Sequence, residues 1–318
     1  MINSVRNTVL SVLNKNNYGY ISPSDFNLFA KQAQMELFEE YFSDYNKTIT
    51  MENTRTSGTD YADRSKMLAE AIEVFLSVKY LTPVPQAFSI PSNSFFMPSL
   101  TTTGDEAFLM NKVVCYSQQI ANGTNSSVST SLLIDITATF ISSGVAFGDV
   151  VVNITTGVVA TVLSVSSQTT LVVDADIFLA SPNQYVVYSS ASYYEAEKVS
   201  AGKIAMLNNS LLTSPSIQYP AYVQYGDTMK VYPVSINSLG MVQATYFRYP
   251  KAPKWTYVTL VNGEPSFDQT QVDYQDFELP EEDEVKLVVK ILKYSGLSIR
   301  ETDIASYAIG QEQSQNQQ

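Results

Sequence analysis

Histidine is absent from this 318-residue chain. That removes Ser-His-Asp and Cys-His nucleophile systems, His-ligated zinc and the commonest general base in one step. Cysteine occurs once, at Cys115, so an intramolecular disulfide and a cysteine-based zinc site are excluded as well. In the run Val113-Val-Cys-Tyr116 that thiol reads as a small buried residue, not a nucleophile. The 13 glycines are scattered at turns and build no P-loop and no Gly-x-Gly-x-x-Gly turn, and no nucleophile elbow is present. No stretch reaches the roughly 18 uninterrupted apolar residues of a membrane span. The opening Met1-Ile-Asn-Ser-Val-Arg6 lacks the charged and apolar regions of a secretory signal, so triplets such as Asn122-Gly-Thr124 are read as chance and not as glycosylation sites.

Cations are scarce too. Lys and Arg total 19 against 31 Asp and Glu, a net charge of −12, and neither Lys nor Arg occurs between Val113 and Glu197. Such a chain repels phosphates, which argues against duplex binding through a basic face. Carboxylate pairs remain available for acid–base chemistry, but no constellation singles out a site. Composition therefore predicts no cofactor, no metal, no catalytic residue and no enzyme activity. What is present is 45% hydrophobic residues, ample for a core, over a length that fits two domains or one domain with a large insertion.

The segment Phe277–Gln318 carries the clearest pattern. Pro280 suits a first helical position, Glu281, Glu282, Asp283 and Glu284 suit the positive pole of a helix, and Lys290 and Lys293 the negative one. Val285, Val288, Val289 and Leu292 form one apolar row, with Leu287, Ile291 and Tyr294 forming a second, so the helix is expected to touch two partners. Gly296 reads as its C-terminal stop, Ser298–Glu301 as a capping box for a second short helix, and the Gln-rich tail 311–318 as disordered until a partner covers it.

At the other end, Ile2, Val5, Val9 and Val12 mark a helix, and Ser22-Pro-Ser-Asp25 opens another with an N-cap, Pro at the first position and an acid at the third. The linker from Asn14 to Asp25 imitates a calcium loop but lacks its ligand carboxylates, so it reads as a helix–turn–helix corner. A third helix is expected over about Asp60–Lys79. From Pro83 the period changes to that of strands, at Ala87–Ile90, Ser94–Met97 and Ala107–Ser117. The cation-free stretch holds Leu132–Phe140, Asp149–Asn153, Val158–Val165, Thr170–Val173 and Tyr185–Tyr188 and reads as an inserted all-β module projecting outward. Tyr194–Leu212 is mildly helical, and strands follow at Ser216–Tyr225, Thr228–Pro233, Met241–Tyr249 and from Trp255 to Val261. Many of the 21 tyrosines fall in this later stretch, where they suit either a wet protein interface or plain sheet-edge capping.

The expected fold is α+β: N- and C-terminal helices around an antiparallel β body with a small inserted barrel- or sandwich-like module. The divisions are a helical layer over 1–80, β body over 81–130 and 193–276, the module over 131–192, C-terminal helices over 277–310 and a flexible tail over 311–318.

Two terminal segments resemble a family of tailed-bacteriophage virion proteins. They are Asn17-Tyr-Gly-Tyr-Ile-Ser-Pro-Ser-Asp-Phe-Asn-Leu-Phe-Ala-Lys31 with Gln34-Met-Glu-Leu-Phe-Glu-Glu-Tyr41, and the stretch from Leu279 to Glu301. Together these look like structural proteins of crAss-like phages of gut Bacteroidales and related short-tailed phages. The segment Thr139–Val162 also resembles a small β module that recurs in phage virion proteins. The resemblance implies a structural protein of the virion, assembled in the bacterial cytoplasm. It would form a closed ring, usually a dodecamer, at the head-to-tail region and dock on the portal protein or on neighbouring tail ring and hub proteins. Genomic DNA would pass without specific binding, along an acidic wall that repels it, and no membrane would be involved. Val285, Leu287, Val288, Ile291, Leu292, Tyr294, Ile299, Ile304 and Tyr307 are the expected interface residues. Two rival readings remain: a capsid or tail decoration that binds a surface through the β module, and a tail glycan hydrolase. The latter needs two carboxylates about 5–10 Å apart, one with a raised pKa.

Overall fold

The computed structural model describes residues 1–14, 21–54, 64–85, 92–261, 263, 265–299 and 310. Three helices lead: α1 (Ile2–Asn14), α2 (Pro23–Thr54) and α3 (Arg64–Glu73). Strands β1 (Leu76–Tyr80), β2 (Ser94–Phe96), β3 (Ala107–Tyr116), β4 (Gln119–Thr124), β5 (Ser127–Ser129) and β6 (Leu132–Ile134) follow. Next come β7 (Val150–Asn153), β8 (Val158–Ser167), β9 (Thr170–Val173), β10 (Gln184–Tyr188), β11 (Tyr193–Glu195) and β12 (Glu197–Lys198). Helix α4 (Ala201–Asn208) precedes β13 (Ala221–Tyr225), β14 (Thr228–Tyr232), β15 (Val242–Arg248), β16 (Tyr257–Thr259), β17 (Pro265–Phe267) and the closing helix α5 (Glu284–Ile299). The fold is mixed α+β, with helices from both chain ends and four largely antiparallel sheets. Among the described residues no helix is long and apolar enough to cross a membrane.

The chain divides into two compact units, one of residues Met1–Phe75 with Pro250–Gln318 and one of Leu76–Tyr249. In the first, α2 starts as its sequence dictates: Ser22 Oγ accepts the Asp25 N–H at 3.2 Å and donates to the Asp25 carboxylate at 2.6 Å, closing a local capping loop. Helix α5 packs on both α1 and α2. Its two apolar rows are thus largely used within its own unit. Leu287 and Ile291 are fully buried, as are Val5 and Val9 of α1 and Ala30 and Ala33 of α2. Trp255 anchors the returning chain. Its indole N–H donates to Asn3 Oδ1 at 3.1 Å, its backbone pairs with the Asn27 side chain, and the Arg6 guanidinium lies 3.8 Å above its ring.

The second unit is built of three β layers. One sheet has the order β1-β15-β3-β11 and a second β12-β13-β14-β2. Their facing sides share a core that includes Phe95, Val113, Cys115, Met229, Val231 and Tyr246. The seven-stranded module sheet runs β4-β10-β7-β8-β9-β6-β5. It turns on β8, whose first half pairs with β7 and whose second half pairs with β9 through register shifts. The two arms of the bend enclose Leu133, Phe140, Val151, Leu171, Tyr185 and Val187.

Residues alternate sides along a strand, so Val113 and Cys115 face the second sheet while Val114 and Tyr116 face the opposite way. On that other side they pack with Val150, Val152, Val186 and Tyr188 of the module. The unbroken apolar run Val113–Tyr116 is the signature of a strand buried on both faces. The module therefore lies against the body and does not project outward from it.

Several expectations change. The third helix ends at Glu73, and Leu76–Tyr80 is a strand paired with β15. Leu76 continues the helical spacing of Leu68 and Ile72, but its hydrogen-bond partner is remote in sequence and leaves no local trace. The expected strand over Leu132–Phe140 stops at Ile134, because Asp135 accepts both the N–H and the hydroxyl of Thr137 and turns the chain. The module sheet begins at β4, ahead of residue 131, since Gln119–Thr124 pairs with β10. Strand β13 starts only at Ala221, and Trp255 precedes the short β16. Finally, Gly296 does not end a helix: α5 continues through it to Ile299, so no new helix starts at Ser298. Packing on α1 and α2 outweighs the roughly 1 kcal/mol helix penalty of an internal glycine. The expected strand Ala87–Ile90, residues 15–20 of the Asn14–Asp25 linker and the tail 311–318 lie outside the described residues.

Candidate interaction surfaces

The residues expected to face partners on α5 do not act together. Leu287, Ile291 and Leu292 are buried in the helical unit. Their apolar surface is already covered by the same chain, which leaves little of it for an intersubunit contact. Tyr294 is half-buried, stacks on Phe29 at 6.5 Å between ring centroids, and donates its hydroxyl to Glu36 at 2.9 Å. Val288 is half-buried. Among those of these residues whose burial is described, Val285 alone is open to solvent, at 63% exposure. Ile299 ends α5, whereas Ile304 and Tyr307 lie outside the described residues.

Lys290, expected to serve the negative pole of the helix, is mid-helix and buried. Its ammonium sits 2.7 Å from Glu40 and 3.2 Å from Glu36, tying α5 to α2. The acidic N-terminal turn is likewise engaged: buried Asp283 accepts from the Tyr41 hydroxyl and pairs with Lys286 at 2.8 Å. Burial and the adjacent Asp283 push the Tyr41 phenol well above its ordinary pKa, keeping it a donor. Asp276 receives the Met1 ammonium at 3.0 Å, the Ile2 N–H at 2.8 Å and the Phe277 N–H at 2.8 Å. Burial alone would raise its pKa, but these donors hold it below the ordinary value.

The apolar surface that sequence reasoning missed lies in the β unit, just after α4. Ser200 caps this helix by accepting the Lys203 N–H, and Ile204 is its one buried residue. The chain then turns on itself: Ser210 O accepts the N–H groups of Thr213 and Ser214 at 3.2 and 2.9 Å, and the Thr213 hydroxyl donates back to Leu207 O at 3.1 Å. A further turn closes between Ser216 and Tyr219. At the tip stand Leu211 and Leu212, 103% and 94% exposed, with exposed Met206 and Tyr219 beside them in sequence. Ordinary surfaces carry scattered leucines, and this turn presents two neighbouring ones bare. The available clue was an apolar pair set inside Asn208-Asn-Ser-Leu-Leu-Thr-Ser-Pro215, a turn-forming run.

Nothing in the described residues organises catalysis around a metal. No three His, Cys, Asp or Glu side chains are gathered to hold one. Cys115 is buried and its thiol is pushed up to about 12, so it is neutral and inert at physiological pH. Among the described residues, the carboxylates with displaced pKa values, Asp135, Asp268, Asp273 and Asp276, all move down, the direction of structural hydrogen bonding and opposite to that of a general acid. No protein-family model matches this chain, and no curated protein matches it.

Proposed function

We propose that this chain is a non-enzymatic structural protein of a short-tailed, crAss-like phage virion: a ring subunit of the head-to-tail region that docks on the portal or on an adjacent tail ring. Its terminal segments resemble that family, and the observation that carries an assembly role is the bare leucine pair on the Ser210–Tyr219 arm. Covering both leucines is worth about 3–6 kcal/mol. Bringing two free molecules together costs about 4–15 kcal/mol, so the arm alone makes no stable dimer. In a closed ring each subunit is held from both sides, and the same modest contact becomes effective through local concentration. The acidic balance suits a conduit that DNA passes without sticking.

Light scattering of the purified protein, alone and with the cognate portal protein, tests this reading. A closed oligomer, or a monomer that forms rings only on the portal, is expected, and Leu211→Glu with Leu212→Glu should abolish it without unfolding the chain. A monomer indifferent to portal would sink it. That result would favour the decoration reading, for which Ile136, Phe147 and Leu179 on the module supply the exposed apolar side chains.

A further inference from the structure

The helical unit holds a groove of about 620 Å³ between α2, α3 and the start of α5. One wall is apolar: Met67, Ala71 and Val74 lie at i, i+4 and i+7, with Leu68 beside them, and Met67 and Val74 are 59% and 57% exposed. The rim is acidic. Glu40, Asp44, Glu70, Glu282 and Asp283 line it, against the sole cation Lys286. Three of these carboxylates are answered from within the chain: Glu40 by Lys290 at 2.7 Å, Asp44 by Lys47 at 3.1 Å and Asp283 by Lys286 at 2.8 Å. Glu70 and Glu282 are exposed and have no cation within salt-bridge distance among the described residues.

We infer that this groove seats a cationic amphipathic helix of a partner protein. The apolar wall spans about two helical turns, the footprint of a short helix laid in a groove. The unanswered acids at its rim select for Lys or Arg on the flanks of that helix. Charge also excludes two closer occupants. Residues 300–318 of this chain contain one Arg and three acids (Glu301, Asp303 and Glu312), and a second copy brings a net charge of −12. Both would meet repulsion at Glu70 and Glu282. The assignment rests on the groove alone and stands whether or not the chain forms a ring.

The test uses the full chain and two synthetic helical peptides with the same leucine face, one with lysine flanks and one with glutamate flanks, read by fluorescence anisotropy. The lysine peptide should bind and the glutamate peptide should not. Glu70→Lys with Glu282→Lys should weaken lysine-peptide binding about tenfold or more, the loss expected when charges across an interface are reversed. Both residues are exposed, so the fold should survive, with only the small drop in melting transition expected of a cation at the positive pole of α5. Asp176→Lys with Glu195→Lys makes the same charge change elsewhere on exposed positions and should leave binding intact. Equal loss in both double variants would mean attraction by net charge and overturn the site. Binding of both peptides alike, or of neither, would overturn it as well. A change in the mass of the protein alone on Glu70→Lys with Glu282→Lys would assign the groove to a second copy and likewise refute the inference.

Discussion

The two units hold their engaged carboxylates differently: those of the helical unit, Asp283 apart, are partly open to solvent, whereas Asp135 and Asp149 of the β module are buried. In the helical unit a cation joins the neutral donors each time: Lys286 at Asp283, the Met1 ammonium at Asp276, and Lys290 between Glu36 and Glu40. In the β module the answer is neutral donors. Asp135 accepts the Thr137 N–H at 2.8 Å, the Thr137 hydroxyl at 2.6 Å and the Tyr185 hydroxyl at 2.7 Å. Asp149 accepts the N–H groups of Ala146 and Ser190 at 2.7 and 2.8 Å and the Ser190 hydroxyl at 3.0 Å. A stretch without Lys or Arg has nothing else to offer. The difference teaches where each unit is brittle. A buried carboxylate cannot lose its place without stranding a buried donor such as the Tyr185 hydroxyl, whereas an ion pair whose acids reach solvent can loosen and rehydrate.

The sharpest way to break the β side is at its packing seam. Gly240 has φ +80°, and a Cβ there would lie 2.3 Å from Val152 Cγ2. Gly240→Ala should therefore cost about 3 kcal/mol, combining left-handed backbone strain with overpacking between module and body. Urea unfolding would read it, and a loss under half that size would show that the seam is loose.

Asp135→Ala comes next. It strands the buried Tyr185 hydroxyl, while exposed Thr137 can turn to water, and should cost about 2 kcal/mol. Asp135→Asn, which keeps an acceptor oxygen, should cost less, and the ordering of the two variants is the check. On the helical side Lys290→Met should cost only about 1 kcal/mol, because Glu36 and Glu40 remain 29% and 39% exposed and can turn to water. A cost equal to that of Asp135→Ala would erase the contrast between the units.

The smallest effect is on acid stability. Asp135 and Asp276 have folded pKa values below the ordinary 3.8. A depressed carboxylate contributes stability that is present above the unfolded value and is lost as pH falls through the folded one. Unfolding free energy should thus be flat down to about pH 4 and decline below it. Asp276→Asn should shallow that decline, and an unchanged slope would mean the Met1 contact contributes little.

Local signals were legible wherever a residue's partner is near in sequence. The Ser22–Asp25 cap, the apolar rows of α5 and the strand through the apolar run Val113–Tyr116 could all be read directly, because helix period, capping and apolar runs are short-range properties. Positions whose fate depends on distant chain were not. Leu76 became a strand residue through β15, and Gln119–Thr124 entered the module through β10. Among candidate site residues, the apolar pattern identified Leu287, Ile291 and Leu292 as needing cover without saying whose.

From the sequence by itself came an α+β fold with helices at both ends, a cation-free β module, and the lack of residues for His- or Cys-based chemistry. Tertiary structure alone decided that α5 is largely covered by α1 and α2, and that the module lies on the body through Val150, Val152, Val186 and Tyr188. It alone left Leu211 and Leu212 bare and drew α2, α3 and α5 into an acid-rimmed groove. The reason is that hydrophobicity says a side chain seeks cover, while only the placement of remote segments settles which side chains are covered and which are left for a partner.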